Sequence, residues 1–309
     1  MMYPKIGIRP VIDGRWGGIR ESLEAQTMGM AHAAKALIET LKYPDGTPVQ
    51  VVVSPCTIGG GAEAARCEEY FSAQNVTATL TVTPCWCYGM ETFDMNPLTI
   101  KAVWGFNGTE RPGAVYLAAV LAAYAQKGLP AFSIYGHDVQ DMGDSSIPAD
   151  VEEKILRFAR CAVAAGWMKN KSYVNIGAVA MGIMGSYCDT DVFQRYFGIR
   201  AEWVDEVEIL RRMALNIYDP EEYEKALAWI QENCPEGFDC NAGKELIEIV
   251  TRSKYIAPDK DWEFIAKMTI IVKDILYGNP KLDELGWHEE ALGKNAVAAG
   301  FQGQRQWTD

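Results

Sequence analysis

The sequence predicts an α/β protein of two consecutive βαβ domains with mostly parallel sheets, the second of them helix-rich. Three observations carry this expectation. Short runs of β-forming residues alternate with longer helical patterns from Lys5 onward. The alternation restarts after the polar triplet Lys169-Asn170-Lys171, which sets the expected domains at 1–170 and 171–309. Finally, 309 residues, 49% of them hydrophobic and 23% charged, are too many for one ordinary domain and apolar enough to fill two cores.

In the first half, Lys5–Ile12 reads as a strand and Arg20–Leu41 as a helix rich in Ala, Met, Glu and Leu. Val51–Ser54 reads as a buried strand, Ala62–Ser72 as a helix and Thr77–Thr83 as an alternating strand. Cys85–Pro112 mixes Gly, Asn and aromatic residues and reads as a loop. Ala114–Gln126 is an apolar helix, Ala131–Tyr135 a strand and Ala149–Ala165 a helix introduced by Pro148. The second half offers strand Tyr173–Val179, a Gly-rich turn at Met181–Gly185, helix Asp189–Phe197 and strand Arg200–Val204. Helices Asp219–Gln231, Ala242–Arg252 and Asp259–Tyr277 follow, the first opened by Asp219 as cap and Pro220 in the first turn. Asn295–Phe301 reads as one more buried strand. A buried strand needs a following helix to cover it, so the second domain is expected to be truncated, incomplete at its C-terminus.

Charge narrows the function classes. Twenty-nine Lys+Arg against forty-one Asp+Glu leave a net charge of -12, which repels polyphosphate and anionic lipid, so neither nucleic acid nor membrane is expected as a partner. The N-terminus, Met1-Met2-Tyr3-Pro4-Lys5, has no apolar core or cleavage site of a signal peptide, and no window approaches a membrane span. A cytoplasmic protein is expected. Its eight cysteines are scattered, and they read as reduced thiols packed as small hydrophobes. The sequons at Asn75 and Asn107 then carry no meaning for glycosylation.

Several motifs invite chemistry. Ser54–Glu63 joins a strand to a helix through three glycines and could present N–H groups to an anion, although a plain βα turn is the commoner use of such a stretch. It matches neither GxxxxGK[ST] nor GxGxxG, so a nucleotide-dependent enzyme finds no support. Cys85-Trp86-Cys87 lacks the spacing of a zinc site, but an indole at the mouth of a strand offers an apolar face to a sugar ring. A core tryptophan is the commoner alternative. Trp104–Gly113 sets aromatic faces beside an amide, a carboxylate and a guanidinium, a carbohydrate-like set, against the alternative of a loop that satisfies its own backbone. Of three histidines, His32 and His288 read as structural. His137-Asp138-Val139-Gln140-Asp141 follows a strand, where a capping or supporting role is favoured over catalysis.

Taken together, longer stretches resemble the L-fucose isomerase family. They are Lys5–Arg15, Arg20–Glu24, Val82–Gly89, Trp104–Tyr116, Phe132–Asp141, Ser146–Glu153 and Ala298–Arg305. The resemblance runs almost from end to end of the chain and covers about the first half of a family member. It implies two Rossmann-like N-terminal domains of a hexameric, cytoplasmic, Mn²⁺-dependent aldose–ketose isomerase acting on L-fucose and D-arabinose. Such an enzyme moves a carbonyl from C1 to C2 through an enediol, which needs a base, an acid and a metal that polarises O1 and O2. The family's catalytic and metal-binding Glu, Asp and His are expected beyond Asp309, so the 309-residue chain alone is expected to be inactive. By the same resemblance Arg15, Trp86, Met181 and Gln302 are expected to contact the sugar, with Gln304 in reserve. Arg15 and Trp86 are expected to reach a neighbouring subunit's site. The rival expectation is a non-catalytic, two-domain sugar-binding module.

Overall fold

A computed structural model describes residues 3–178, 184, 187, 189–234 and 258–302. The chain divides into two compact units, Met1–Trp167 and Met168–Asp309, each with its own parallel sheet.

In the first unit, strand β1 (Lys5–Pro10) lies beside β2 (Val51–Val53) on one flank and β3 (Val76–Thr83) on the other. Strands β4 (Ile100–Gly105) and β5 (Ala131–Tyr135) extend the sheet to the order β2-β1-β3-β4-β5, with every pairing parallel. Parallel neighbours need crossovers, and the helices supply them. Helices α1 (Ile19–Ile38) and α5 (Ala149–Met168) cover one face, packing Met30, Ala34, Ile155 and Ala159 on Ile6, Ile8, Leu80 and Trp104. Helices α2 (Gly61–Ala73) and α4 (Gly113–Gln126) cover the other, where Phe71, Tyr116 and Val120 meet Val103. The buried positions of α4, Gly113, Tyr116, Leu117, Val120 and Tyr124, recur at helical spacing and make one apolar stripe. Gly7 has no room for a side chain: a Cβ there would stand 2.4 Å from the Phe71 ring, so α2 lies directly on β1.

The reading of Cys85–Pro112 as a loop is corrected in two places. It contains a single-turn helix α3 (Gly89–Thr92) and the whole of β4, which pairs with β3 and β5 from the sheet interior. Lys101 disguised that strand. Its amine is buried against the carbonyl oxygens of Asn96 and Thr99, so a polar residue occupies a central strand without an unpaired charge donor.

In the second unit, β6 (Ser172–Gly177) lies between β7 (Arg200–Val204) and β8 (Ala296–Gln302), again all parallel. Asp189 caps a single turn α6 (Thr190–Val192) that runs into a π-helical turn at Phe193–Phe197, where one regular helix was expected. Helix α7 (Glu206–Leu215), capped by Asp205, escaped the sequence reading. Helices α8 (Pro220–Asn233), α9 (Pro258–Tyr277) and α10 (Pro280–Glu284) follow. Val174, Ile176, Ile209, Ile271 and Ile275 form the core of this unit. The expectation of a buried last strand is also corrected: in β8 only Ala296 is buried, because the strand lies at the sheet edge. The readings at Met181–Gly185 and Ala242–Arg252 fall outside the described residues, apart from Met184. Among the described residues no helix is long and apolar enough to cross a membrane.

Candidate functional site

In an open parallel sheet, the loops leaving two neighbouring strands diverge where their connections pass to opposite faces, and ligands bind in the gap beyond the carboxyl ends. The order β2-β1-β3-β4-β5 puts that gap between β1 and β3. The chain leaving β1 carries Asp13, Gly14 and Arg15, and the chain leaving β3 carries Cys85, Trp86 and Cys87. Two of the expected site residues therefore meet there, with the Arg15 guanidinium carbon 5.9 Å from the centroid of the Trp86 ring.

The crevice is built from below. After β1 the backbone continues through Val11, which donates to the Val82 carbonyl at 2.9 Å, and Ile12, which donates to the Ile58 carbonyl at 3.0 Å. Ile12 packs with Leu23 and Cys85 in a small buried cluster that ties the two loops together. Gly14 is pressed on the next loop: a Cβ would stand 2.2 Å from the Gly59 carbonyl oxygen. Cys85 and Cys87 point inward, and burial pushes the Cys85 thiol up to about 11 and the Cys87 thiol in the same direction. They are inert packing groups. Trp86, between them, turns outward and is 38% exposed, which is not the environment of a core tryptophan. Its ring meets Tyr88 edge-on at 5.0 Å, widening the apolar wall.

Asp13 is the residue that sequence reasoning missed. Its buried carboxylate accepts the Arg15 backbone N–H at 3.0 Å, the Nε–H at 3.0 Å and an Nη2 hydrogen at 2.6 Å. Those side-chain bonds hold Asp13 below the usual carboxylate range against the opposing effect of burial, and the Arg111 charge adds in the same direction. Arg111 itself takes a left-handed backbone conformation, φ 47°, which a non-glycine residue adopts at a cost. The signal in the sequence was an Asp-Gly-Arg triplet directly after a strand end.

The other motifs resolve differently. Trp104 and Phe106 are buried, so the carbohydrate-like reading of Trp104–Gly113 loses its aromatic faces. Asn107 spends its amide on the carbonyls of Gly136 and Asp138, both at 3.2 Å. In the Gly-rich turn, Glu63 accepts the Gly59 N–H at 2.7 Å and two bonds from Arg20 at 3.1 and 2.8 Å, so the turn satisfies itself. His137 Nδ1 lies 2.9 Å from Asp138 on an open surface, while His32 is exposed and His288 pairs with Asp283.

In the second unit Gln302 ends β8 opposite Gly177, at the carboxyl end of the sheet. Its amide donates to Asn175 Oδ1 at 3.4 Å, and the buried Asn175 Nδ2 has no hydrogen-bond partner. Met181 and Gln304 lie outside the described residues. Among the described residues, no three His, Cys, Asp or Glu side chains gather as a metal site.

The fold defines the first unit as a doubly wound α/β domain, a class in which the crevice beyond the strand ends is the usual ligand position. Comparison with known proteins makes this specific. Residues 3–170 match the model of the first N-terminal domain of L-fucose isomerase, and residues 171–309 that of the second. The chain belongs to the L-fucose isomerase family. It is 65% identical over 308 residues to an L-fucose isomerase of Clostridium perfringens, covering 99% of this chain and 52% of the relative. Relatives of the same name from Bacteroides fragilis and Streptococcus pneumoniae are 63% and 58% identical over 310 residues, again with 52% of their length covered. The chain thus spans about half the length of these relatives.

Proposed function

We propose that this chain is the N-terminal half of an L-fucose isomerase, and that it binds and orients the sugar. The observation that carries the reading is the meeting of Arg15 and Trp86 at the β1/β3 gap, in a chain matched by the family's two N-terminal domain models. The guanidinium offers donors to sugar hydroxyls, and the exposed indole offers a face to the apolar edge of the ring. Gln302 serves the same end in the second unit, together with Met181 and Gln304. The domains divide at 1–170 and 171–309.

The reaction proposed for the whole protein converts L-fucose to L-fuculose, and D-arabinose to D-ribulose, through an enediol. The described residues do not fit the Mn²⁺ that the family reading brings with it, since they assemble no metal site. Its ligands and the acid–base pair are proposed to lie outside this chain. A cytoplasmic homo-hexamer, in which Arg15 and Trp86 face a neighbouring subunit's site, belongs to the same proposal.

The test compares the full-length protein, its Arg15→Ala variant and the 309-residue chain, each with L-fucose and Mn²⁺. Ketose formation by the full-length protein, weakened in Arg15→Ala, is the expected result. Failure of the full-length protein to isomerise L-fucose would sink the proposal. Micromolar binding of L-fucose by the 309-residue chain alone would favour a non-catalytic sugar-binding module.

A further inference from the structure

We propose that Asp13 is a positioning residue, which locks the Arg15 guanidinium in one orientation beside Trp86 before any ligand arrives. The inference rests on the reading of Arg15 as a sugar contact and goes beyond it.

Arginine is a poor orienting group when left free, because a long flexible side chain loses much rotamer freedom on binding. Arg15 has half its side chain in solvent, at 52% exposure, yet it is anchored at its root. One oxygen of Asp13 accepts both the backbone N–H and the Nε–H of Arg15, each at 3.0 Å. The other accepts from Nη2 at 2.6 Å. The backbone turn and the side-chain direction are therefore fixed by the same carboxylate. Asp13 can do this because it is itself held: it is 2% exposed, follows the buried Ile12 and precedes a glycine wedged on the Gly59 backbone. The planar guanidinium matches the two carboxylate oxygens along one edge. Its Nη1 hydrogens have no partner among the described residues and are left for a ligand. A lysine would keep the charge and lose the edge-on lock. The freedom of Arg15 is thus surrendered on folding, which is the general route by which a preorganised site gains affinity.

The simpler view is that Asp13 only closes a turn. The two views differ in a double-mutant cycle on full-length protein. Asp13→Asn should raise KM and lower kcat/KM for L-fucose about tenfold, and Arg15→Ala should do at least as much. In the Arg15→Ala background, Asp13→Asn should cost nothing further. Additive losses would overturn the proposal, since they place the effect of Asp13 elsewhere. Wild-type kinetics in Asp13→Asn with a damaged Arg15→Ala would overturn it too, leaving the sugar-contact reading intact. Wild-type kinetics in Arg15→Ala would overturn both. Should Asp13→Asn fail to fold, Arg15→Lys decides, because residue 15 is exposed: a loss like that of Arg15→Ala supports the lock, and wild-type kinetics refutes it. In the 309-residue chain the Arg15 Nε–H resonance, identified by its disappearance in Arg15→Lys, should exchange slowly with water. Fast exchange would refute the lock directly.

Discussion

Trp86 shows how much a single side chain's direction settles. Its neighbours Cys85 and Cys87 are buried and the indole is not, so the alternation of the chain leaving β3 selects which residue reaches solvent. An exposed indole contributes little to the core, and its removal should leave the fold nearly untouched. We expect Trp86→Ala to change stability by less than ~1 kcal/mol, against the ~3–5 kcal/mol of a core tryptophan. In full-length protein the same substitution should lower kcat/KM for L-fucose about tenfold, as loss of an aromatic contact worth ~1 kcal/mol or slightly more would do. Calorimetry paired with steady-state kinetics checks both. An early melt with normal kinetics would assign Trp86 to packing instead.

Between elements, the packing of loops and of buried charges has measurable consequences. The turn after β1 is clamped on the loop after β2 at Gly14, where a methyl group would collide with backbone that has no side-chain freedom to yield. Gly14→Ala should therefore destabilise the first unit by ~1–3 kcal/mol, a range typical of overpacking, and displace Arg15. A melting curve superimposable on the wild type would count against this clamp. Behind the sheet, Arg9 of β1, Glu68 of α2 and Asp94 after α3 form a charge network. Arg9 donates to Glu68 at 2.9 Å and to the Thr92 carbonyl at 3.0 Å, while Asp94 accepts from Thr79 at 2.6 Å and Thr99 at 2.8 Å. Burial first, and then the Asp94 charge, push Glu68 up to about 7 against the pull of Arg9. The folded protein thus holds a proton that the unfolded chain has released at the same pH. The Glu68 contribution to stability therefore rises as pH falls from 8 through about 7 toward the ordinary glutamate range. The melting temperature should be higher at pH 6 than at pH 8, and Glu68→Gln should flatten that slope. An unchanged slope in the variant would remove Glu68 from the account.

For the whole molecule, the chain divides into two compact units, each with its own sheet and core. The first unit brings the Arg15–Trp86 pair together from its own loops. The second places Gln302 at the end of β8. No described group of side chains assembles a metal site. The proposal that the metal ligands and the acid–base pair lie outside this chain predicts that the 309-residue chain, supplied with Mn²⁺ and L-fucose, forms no ketose. Detection of L-fuculose from rigorously purified chain, by a colorimetric ketose assay, would contradict that expectation.

The sequence by itself determined the fold class and most of the element order. Strand and helix periods are local properties of the chain, and Ala131–Tyr135 and Arg200–Val204 were legible to the residue. The resemblance to the L-fucose isomerase family likewise brought out Arg15 and Trp86, and the place of Trp86 after a strand end singled it out a second time. Tertiary structure decided what depends on neighbours distant in sequence. Lys101 reads as polar until the carbonyls of Asn96 and Thr99 close over it, which is why β4 was hidden. Trp104 reads as a stacking platform until α1 and α5 cover its face of the sheet and bury it. Asp13 is an unremarked loop residue until strand pairing sets β1 beside β3 and the loops beyond them converge. A local pattern reports what each backbone segment prefers. Which side chains are desolvated, and which charged groups face one another, is fixed only when parallel strands remote in the chain are brought into register.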